Sequence, residues 1–315
     1  MIDSGTDSSY DGTRTEKDVN AAMQKKVLAL HDLSGFGRSS LVPIIAVLSA
    51  AGHQCVPLPT AVFSTHTAIP EWITTDLTDA MPGTIDQYDR LGLRFEAVYA
   101  GFLGSASQID CVVEAAKRLK AAEGITLIDP VMGDNGKVYD TYTPEMCVRM
   151  RELCAIADII TPNTTEAAIL LDRDPDSKPG SAEEAWEWLR ALRARYGAQV
   201  VLTGLDFAPG RVGSGCLSAE GGTLSLHRRI DRYYPGTGDL FASVMLGAIL
   251  GGDTLEDACE LAGEYVKDCI AYTMAQQTDP MHGVQFEKVL PRLIDGTYRR
   301  EMRDRPLKEN HTGKI

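Results

Sequence analysis

Several common signatures are missing from this 315-residue chain. Its cysteines, Cys55, Cys111, Cys147, Cys154, Cys216, Cys259 and Cys269, number seven and include no C-x-x-C. An odd, scattered set argues against a disulfide framework or a zinc site. Most lie in apolar segments and read as small buried hydrophobes. No apolar run reaches the roughly 20 residues of a membrane span. No basic, then apolar, then small-residue segment opens the chain, so no secretory signal is expected. A reducing cytoplasm is the expected compartment. Positive charge is scarce: 31 Lys and Arg stand against 44 Asp and Glu, a formal net charge of −13. That balance excludes a nucleic-acid or anionic-membrane partner. It also repels ATP at long range, so a nucleotide site must create its own local positive field. There is no G-x-x-x-x-G-K-[ST] P-loop and no G-x-S-x-G hydrolase elbow. Internal repeats and low-complexity blocks are absent too.

With 44% hydrophobic and 24% charged residues, the chain is globular in composition, and its length suits one large α/β domain. Residues 1–24 are polar and without periodicity, and are expected to form a disordered tail. The domain is expected over 25–297, with a loose extension over 298–315. In between, strands and helices alternate. Val27 to Leu30 reads as a buried parallel strand, and Leu41 to Ala51 as a helix with Pro43 in its first turn. Cys55 to Phe63 is extended, with Pro57 and Pro59 keeping it near the sheet edge. Ala97 to Ala100 is a buried strand, and Ser105-x-x-Gln108 caps the helix after it. Three further strands end in polar residues: Thr126 to Ile128 before Asp129, Asp158 to Ile160 before Thr161-Pro162-Asn163, and Val200 to Leu202 before Thr203-Gly204. This is the pattern of an open parallel sheet with its ligand beyond the carboxyl ends. Cys216 to Arg229, broken at Gly221-Gly222, reads as a hairpin. The last two helices are expected after Gly238 and at Asp253, the second with Asp253 and Glu256 as a capping box.

The most informative stretch is Tyr234-Pro235-Gly236-Thr237-Gly238-Asp239, followed by an apolar helical run. Glycines let backbone approach a ligand closely, and the free N–H groups of a helix start hold anions. A carboxylate there repels an anion, but it can take a proton from a hydroxyl while the N–H groups grip the phosphoryl group under attack. Asp239 is therefore a candidate base, and Gly236, Thr237 and Gly238 a candidate anion hole. The same tetrapeptide also suits an ordinary helix start. Asp129-Pro130-Val131-Met132-Gly133-Asp134 crowds carboxylates at a strand end, facing either a metal with phosphates or plain solvent. Asn163-x-x-Glu166 offers two oxygen ligands to a hard ion such as Mg²⁺, and equally a capping box. Ser34-Gly35-Phe36-Gly37-Arg38-Ser39-Ser40 is a Gly-rich loop without the third glycine of a dinucleotide fingerprint. Phe63-Ser64-Thr65-His66-Thr67 is a polar loop with one histidine. The remaining histidines show no metal-ligand spacing.

In their order and spacing, the four motifs at Phe63–Thr67, Asp129–Asp134, Thr161–Glu166 and Gly236–Asp239 resemble the ribokinase-like superfamily, specifically its vitamin kinase branch of pyridoxal/pyridoxamine kinases, with hydroxymethylpyrimidine kinases next. The likeness spans roughly residues 26–295. It implies an α/β fold, a three-layer αβα sandwich with a central mostly parallel sheet and a small substrate lid. It also implies ATP-dependent phosphorylation of the 5′-hydroxymethyl group of a vitamin B6 vitamer. By the resemblance, Asp239 is the general base and Gly236 to Asp239 the anion hole. Asp129 and Glu166 organise Mg²⁺ through water, and Asn163, Thr203, Lys137 and Tyr139 join Asp129 and Glu166 around ATP. His31, Asp32, Ser34, His66, Thr67 and Phe102 fall at substrate positions. A potassium-like ion and a homodimer are common in the family. The sequence departs at His31-Asp32, where many pyridoxal kinases carry Ser-His and the pyrimidine kinases Ser-Asp, and at Gly-Phe-Gly-Arg. Asp32 suits a ring nitrogen or hydroxyl of either substrate. Lys137 and Arg38 are candidates for transition-state charge. A vitamer- or nucleotide-binding regulator on the same scaffold is the non-enzyme alternative. Retention of Asp239 and both glycines argues against it.

Overall fold

The computed structural model describes residues 24–294 and Tyr298. The expected tail over 1–24 and extension over 298–315 therefore lie outside the described residues, save Gln24 and Tyr298. In chain order the elements are β1 (Lys26–Phe36), α1 (Leu41–Ala50), β2 (Gln54–Thr65), β3 (Thr74–Asp76), α2 (Met81–Arg90), β4 (Phe95–Ala100), α3 (Ala106–Leu119), β5 (Lys120–Ile128), β6 (Gly133–Asp134), β7 (Lys137–Val138), α4 (Pro144–Cys154), β8 (Ile159–Ile160), α5 (Thr164–Leu170), α6 (Ala182–Tyr196), β9 (Gln199–Leu205), β10 (Arg211–Leu217), β11 (Gly222–Arg228), α7 (Thr237–Leu250), α8 (Leu255–Ala275) and α9 (Leu290–Ile294).

Nine strands form one sheet in the order β11-β10-β9-β8-β5-β4-β1-β2-β3. The six from β9 to β2 run parallel, and both edges are antiparallel. Val27, Leu28, Ala29 and Leu30 are all solvent-excluded, and their alternation splits them between two cores. Leu28 and Leu30 pack with residues of α2 to α6 on one face. Val27 and Ala29 pack with α1, α7 and α8 on the other. A strand covered on both faces needs an unbroken apolar run, and each leucine buried there contributes about 1.5–3 kcal/mol.

The structure revises several boundaries. β1 is longer than Val27 to Leu30 because Ser34 and Phe36 keep pairing with Phe63 and Thr65 of β2. The first three residues of the Gly-rich segment, Ser34 to Phe36, are thus strand. β2 lies one place from the edge, and β3 covers only Ala61 to Phe63 of it, which leaves Pro57 and Pro59 without an outer partner. β9 continues through Thr203 and Gly204, which belong to the strand. The cap of α8 is Thr254, whose hydroxyl accepts from Asp257 N at 3.1 Å, in place of Asp253. Ser105 caps α3 as expected, but Gln108 turns inward to Thr60 O and Thr78 Oγ1 instead of closing a box. The carboxyl ends of β1, β4, β5, β8 and β9 converge on one edge, where the motifs of the sequence collect.

Candidate active site

Gly236 takes φ 80° at the start of α7, a conformation that glycine adopts without a Cβ penalty. A Cβ there would lie 1.9 Å from the Arg38 carbonyl oxygen, so this glycine is required by close backbone approach. Two residues on, a Cβ at Gly238 meets nothing within 4 Å. The turn is sealed from below and open above, and the first-turn N–H groups of α7 have no intrahelical acceptor. That opening suits a phosphoryl group.

Asp239 follows directly, in the first turn of α7. Its Oδ2 accepts from Ser40 N at 2.7 Å, which ties α7 to the start of α1. A helix N-terminus favours the ionised form of a carboxyl. Burial instead pushes its carboxyl up to about 7, with Asp32's charge adding and the Ser40 N–H opposing. Desolvation outweighs the helix dipole. A base poised near neutrality is still suited to accept a hydroxyl proton.

Asp32 is 5% exposed. Both its oxygens are held: Oδ1 accepts from Ser40 Oγ at 2.5 Å and Oδ2 from Ser34 Oγ at 2.8 Å. Burial raises its carboxyl, while the two serine hydroxyls and His66 oppose the rise. Arg38 is held by the far end of the chain. Its guanidinium bonds Glu287 at 2.7 Å and the His282 carbonyl at 3.1 Å, which fastens the 35–40 segment to the loop before α9. Ser40 closes the Gly-rich segment of the sequence, which gave no sign of its bonds to two carboxylates.

The expected substrate residues separate. His66 is buried against Gly37, with Nε2 2.6 Å from the Met281 carbonyl, and Thr67 is exposed. Phe102 joins an aromatic group through Phe63, which also meets Trp72, at centroid distances of 5.9 and 5.1 Å. Hairpin bonds between Ser64 and Ile73 carry Trp72 into this group. The motif reading passed over Trp72 and its contact with Phe63. His31 is solvent-excluded, packed edge-on to Tyr99 at 4.3 Å and against Gly101, and neither ring nitrogen has a partner among the described residues. Burial lowers it to about 3, so it is a neutral interior histidine. It shares a face of β1 with Val27 and Ala29, inside the sheet.

At the ends of β5 and β8, Asn163 and Glu166 do form a capping box: Asn163 Oδ1 accepts from Glu166 N at 3.0 Å, and Glu166 Oε2 from Asn163 N at 2.8 Å. The other oxygen, Glu166 Oε1, accepts from Met132 N at 3.2 Å. Burial pushes Asp129 up to about 8, with Asp239's charge adding and Thr161 opposing. Glu166 is raised well above its usual range by burial and by Asp129. Two buried carboxylates, one raising the other, with no salt bridge to either among the described residues, fit a divalent cation's charge. Asn163 Nδ2 also donates to the Gly133 carbonyl at 2.9 Å, and Gly136 N donates to Thr165 Oγ1 at 2.8 Å. These bonds pin the β6–β7 hairpin, with exposed Lys137 and Tyr139, beside the same edge. Thr203 bridges to Asn163 across β8 and β9. The structure thus gathers Asp129, Asn163, Glu166, Thr203 and the hairpin on one side, and Asp32, Ser34 and the Phe63–Trp72–Phe102 group on the other, with Asp239 between.

Two other features lie away from this edge. A recess of about 320 Å³ lies between α1, α7 and α8, lined by Ala50, Gly247 and Leu261, toward the far end of α7 from Asp239. His227, Glu260 and Glu264 place ligand atoms within 4.8 Å of one another, a grouping the histidine spacing did not reveal. Lys267 pairs with Glu264 and Ser225 donates to Glu260, so those carboxylates already have partners.

Comparison with known proteins gives a consistent result. The family described as phosphomethylpyrimidine kinase matches residues 51–284. Pyridoxal kinase PdxY of Pseudomonas aeruginosa is 30% identical over 260 residues, covering 79% of this chain and 88% of its own. A Bacteroides thetaiotaomicron protein described as a phosphomethylpyrimidine kinase, crystallised with pyridoxal, is 37% identical with a TM-score of 0.82, over 86% of this chain and 96% of that one. Pyridoxal kinase of Lactobacillus plantarum is 28% identical with a TM-score of 0.79, over 88% and 99%.

Proposed function

The chain belongs to the phosphomethylpyrimidine kinase family, beside its pyridoxal kinases, and from that premise we propose a division of labour among the residues of this cleft. The enzyme is a kinase that phosphorylates the 5′-hydroxymethyl group of a vitamin B6 vitamer. One observation carries the assignment of roles: Asp239 stands at the mouth of a turn that is open above Gly238.

In this reading ATP places its γ-phosphate against the N–H groups of Thr237, Gly238 and Asp239. The vitamer ring lies between Asp32 and the aromatic group of Phe63, Trp72 and Phe102, with its hydroxymethyl toward Asp239. Asp239 accepts the hydroxyl proton as the oxygen attacks the γ-phosphorus in line, and the bond from that phosphorus to the β–γ bridging oxygen breaks, so that ADP leaves. Phosphoryl transfer depends mainly on positioning and charge stabilisation, which the sealed turn and the walled ring site supply. Asp129 and Glu166, through water, would hold Mg²⁺, whose charge offsets that of the triphosphate. Lys137 and Tyr139 close over the nucleotide, and Asn163 and Thr203 border it. A potassium-like ion, a homodimer and a cytoplasmic setting complete the proposal. Among the described residues no helix is long and apolar enough to cross a membrane.

A panel of pyridoxal, pyridoxamine, pyridoxine and hydroxymethylpyrimidine with ATP tests the substrate. Turnover of B6 vitamers well above the pyrimidine is expected. Preference for hydroxymethylpyrimidine would transfer the assignment to thiamine synthesis, and tight vitamer capture without ADP release would make the protein a binder.

The pH dependence follows from Asp239. Its pKa is raised to about 7, and only the ionised form accepts a proton. The acid limb of kcat/KM should therefore fall about tenfold per pH unit below about pH 7. A profile flat from about pH 5 to about pH 8 would contradict a single buried carboxylate acting as base.

A further inference from the structure

Ser40 touches both carboxylates that face the substrate. Its hydroxyl donates to Asp32 Oδ1 at 2.5 Å and its backbone N–H to Asp239 Oδ2 at 2.7 Å. The residue is a non-glycine at φ 54°, ψ −131°, a sparsely populated conformation that persists only where its surroundings over-determine it. Three contacts do so here. Gly236 closes on the Arg38 carbonyl, Gly283 closes on the Arg38 backbone, and the Arg38 guanidinium is tied to Glu287 and the His282 carbonyl. The backbone just before Ser40 therefore has little room to move. Ser40 is also 8% exposed, so its hydroxyl has little access to bulk water.

We propose that Ser40 is a positioning residue that sets the spacing between the carboxylate at the vitamer's ring edge, Asp32, and the carboxylate at its hydroxymethyl, Asp239. The inference rests on the assignment of Asp239 as base and Asp32 as ring contact. The physical case is geometric. A pyridine ring with its hydroxymethyl arm is nearly rigid, so both ends are correctly placed only if the two protein groups keep a fixed separation. One residue bonded to both, through side chain on one side and backbone on the other, is the shortest connection available. The hydroxyl also fixes the rotation of Asp32, because Ser34 and Ser40 each take one of its oxygens. Loss of either hydroxyl frees that carboxyl to turn. The device bears on recognition of the vitamer and leaves the nucleotide side, at Asp129 and Glu166, untouched.

The test compares Ser40→Ala and Ser40→Gly, each alone and combined with Asp32→Ala, with Asp239→Asn run alongside. Glycine accommodates the positive φ and keeps the N–H, so it removes the hydroxyl without strain. Both single variants should raise KM for pyridoxal about tenfold, as expected for loss of a hydrogen bond to a charged group, with KM for ATP unchanged. In the Asp32→Ala background, the same Ser40 substitutions should add less than about twofold, because their effect runs through Asp32. Wild-type pyridoxal KM in Ser40→Gly would overturn the inference, as would KM for ATP rising in step, or full multiplication of the two effects. The base assignment is judged separately. An inactive Asp239→Asn with an unaffected Ser40→Gly defeats only the role of Ser40, whereas an active Asp239→Asn defeats the reading beneath it.

Discussion

Asp239→Asn is expected to lower kcat by about 10²–10⁴-fold, the range for loss of a general base, while ATP still binds. Asparagine keeps an acceptor oxygen for Ser40 N, so the bond that joins α7 to α1 can survive the change. What disappears is the ability to take a proton. The side chain lies at the first turn of α7, after a turn held by backbone contacts of Gly236, so the anion hole should persist in the variant. The measurement is ADP release under saturating vitamer, paired with calorimetric titration of ATP. Near-normal kcat would remove Asp239 from the chemistry. Loss of ATP binding together with kcat would show that the substitution damaged the turn.

Gly236→Ala should lower kcat/KM by about 10²–10³-fold, comparable with loss of one preorganised donor from an oxyanion-type hole. The added Cβ meets the Arg38 carbonyl oxygen at 1.9 Å. That neighbour is backbone, already fastened through Glu287 and the His282 carbonyl, so it cannot yield cheaply. The alanine also carries the cost of φ 80°, about 1–2 kcal/mol, so thermal stability should fall as well. Relief of the overlap would displace the turn from above Asp239 or the 35–40 segment from below it. Circular-dichroism melting and steady-state kinetics read the two effects. Gly238→Ala is the control, because its Cβ meets nothing within 4 Å and its melting temperature should be unchanged. A Gly236→Ala enzyme with ordinary kcat/KM would show that transfer does not depend on this turn.

Much of the fold was legible because it is periodic or local. The buried run Val27 to Leu30, the strand ends at Asp129 and Asn163, and the caps at Ser105 and Asn163 are patterns within a few residues of one another. The structure retains each of them. Errors fell where two local readings compete or where pairing is remote. Asp253 and Thr254 are adjacent cap formers, and only the path into α8 selects Thr254. Phe36 belongs to a strand because Thr65 lies beside it, which its glycine neighbours do not suggest. β3 spans three exposed residues, too few for alternation to register. By the resemblance, His31 falls at a substrate position. Its burial against Tyr99 and Gly101 depends on β4, a separate strand.

By itself, the chain's order of residues determined the alternation of strand and helix, the polar strand ends, and the Gly-x-Gly-Asp turn with its carboxylate at a helix start. These follow from propensity, period and backbone freedom, which act over a few residues. Only the tertiary structure decided that Ser40 stands between Asp32 and Asp239, and that Arg38 is tied to Glu287. The partners in these contacts are 199 and 249 residues apart. Chain topology brings such pairs together, and a hydrogen bond across that separation leaves no periodic trace along the sequence.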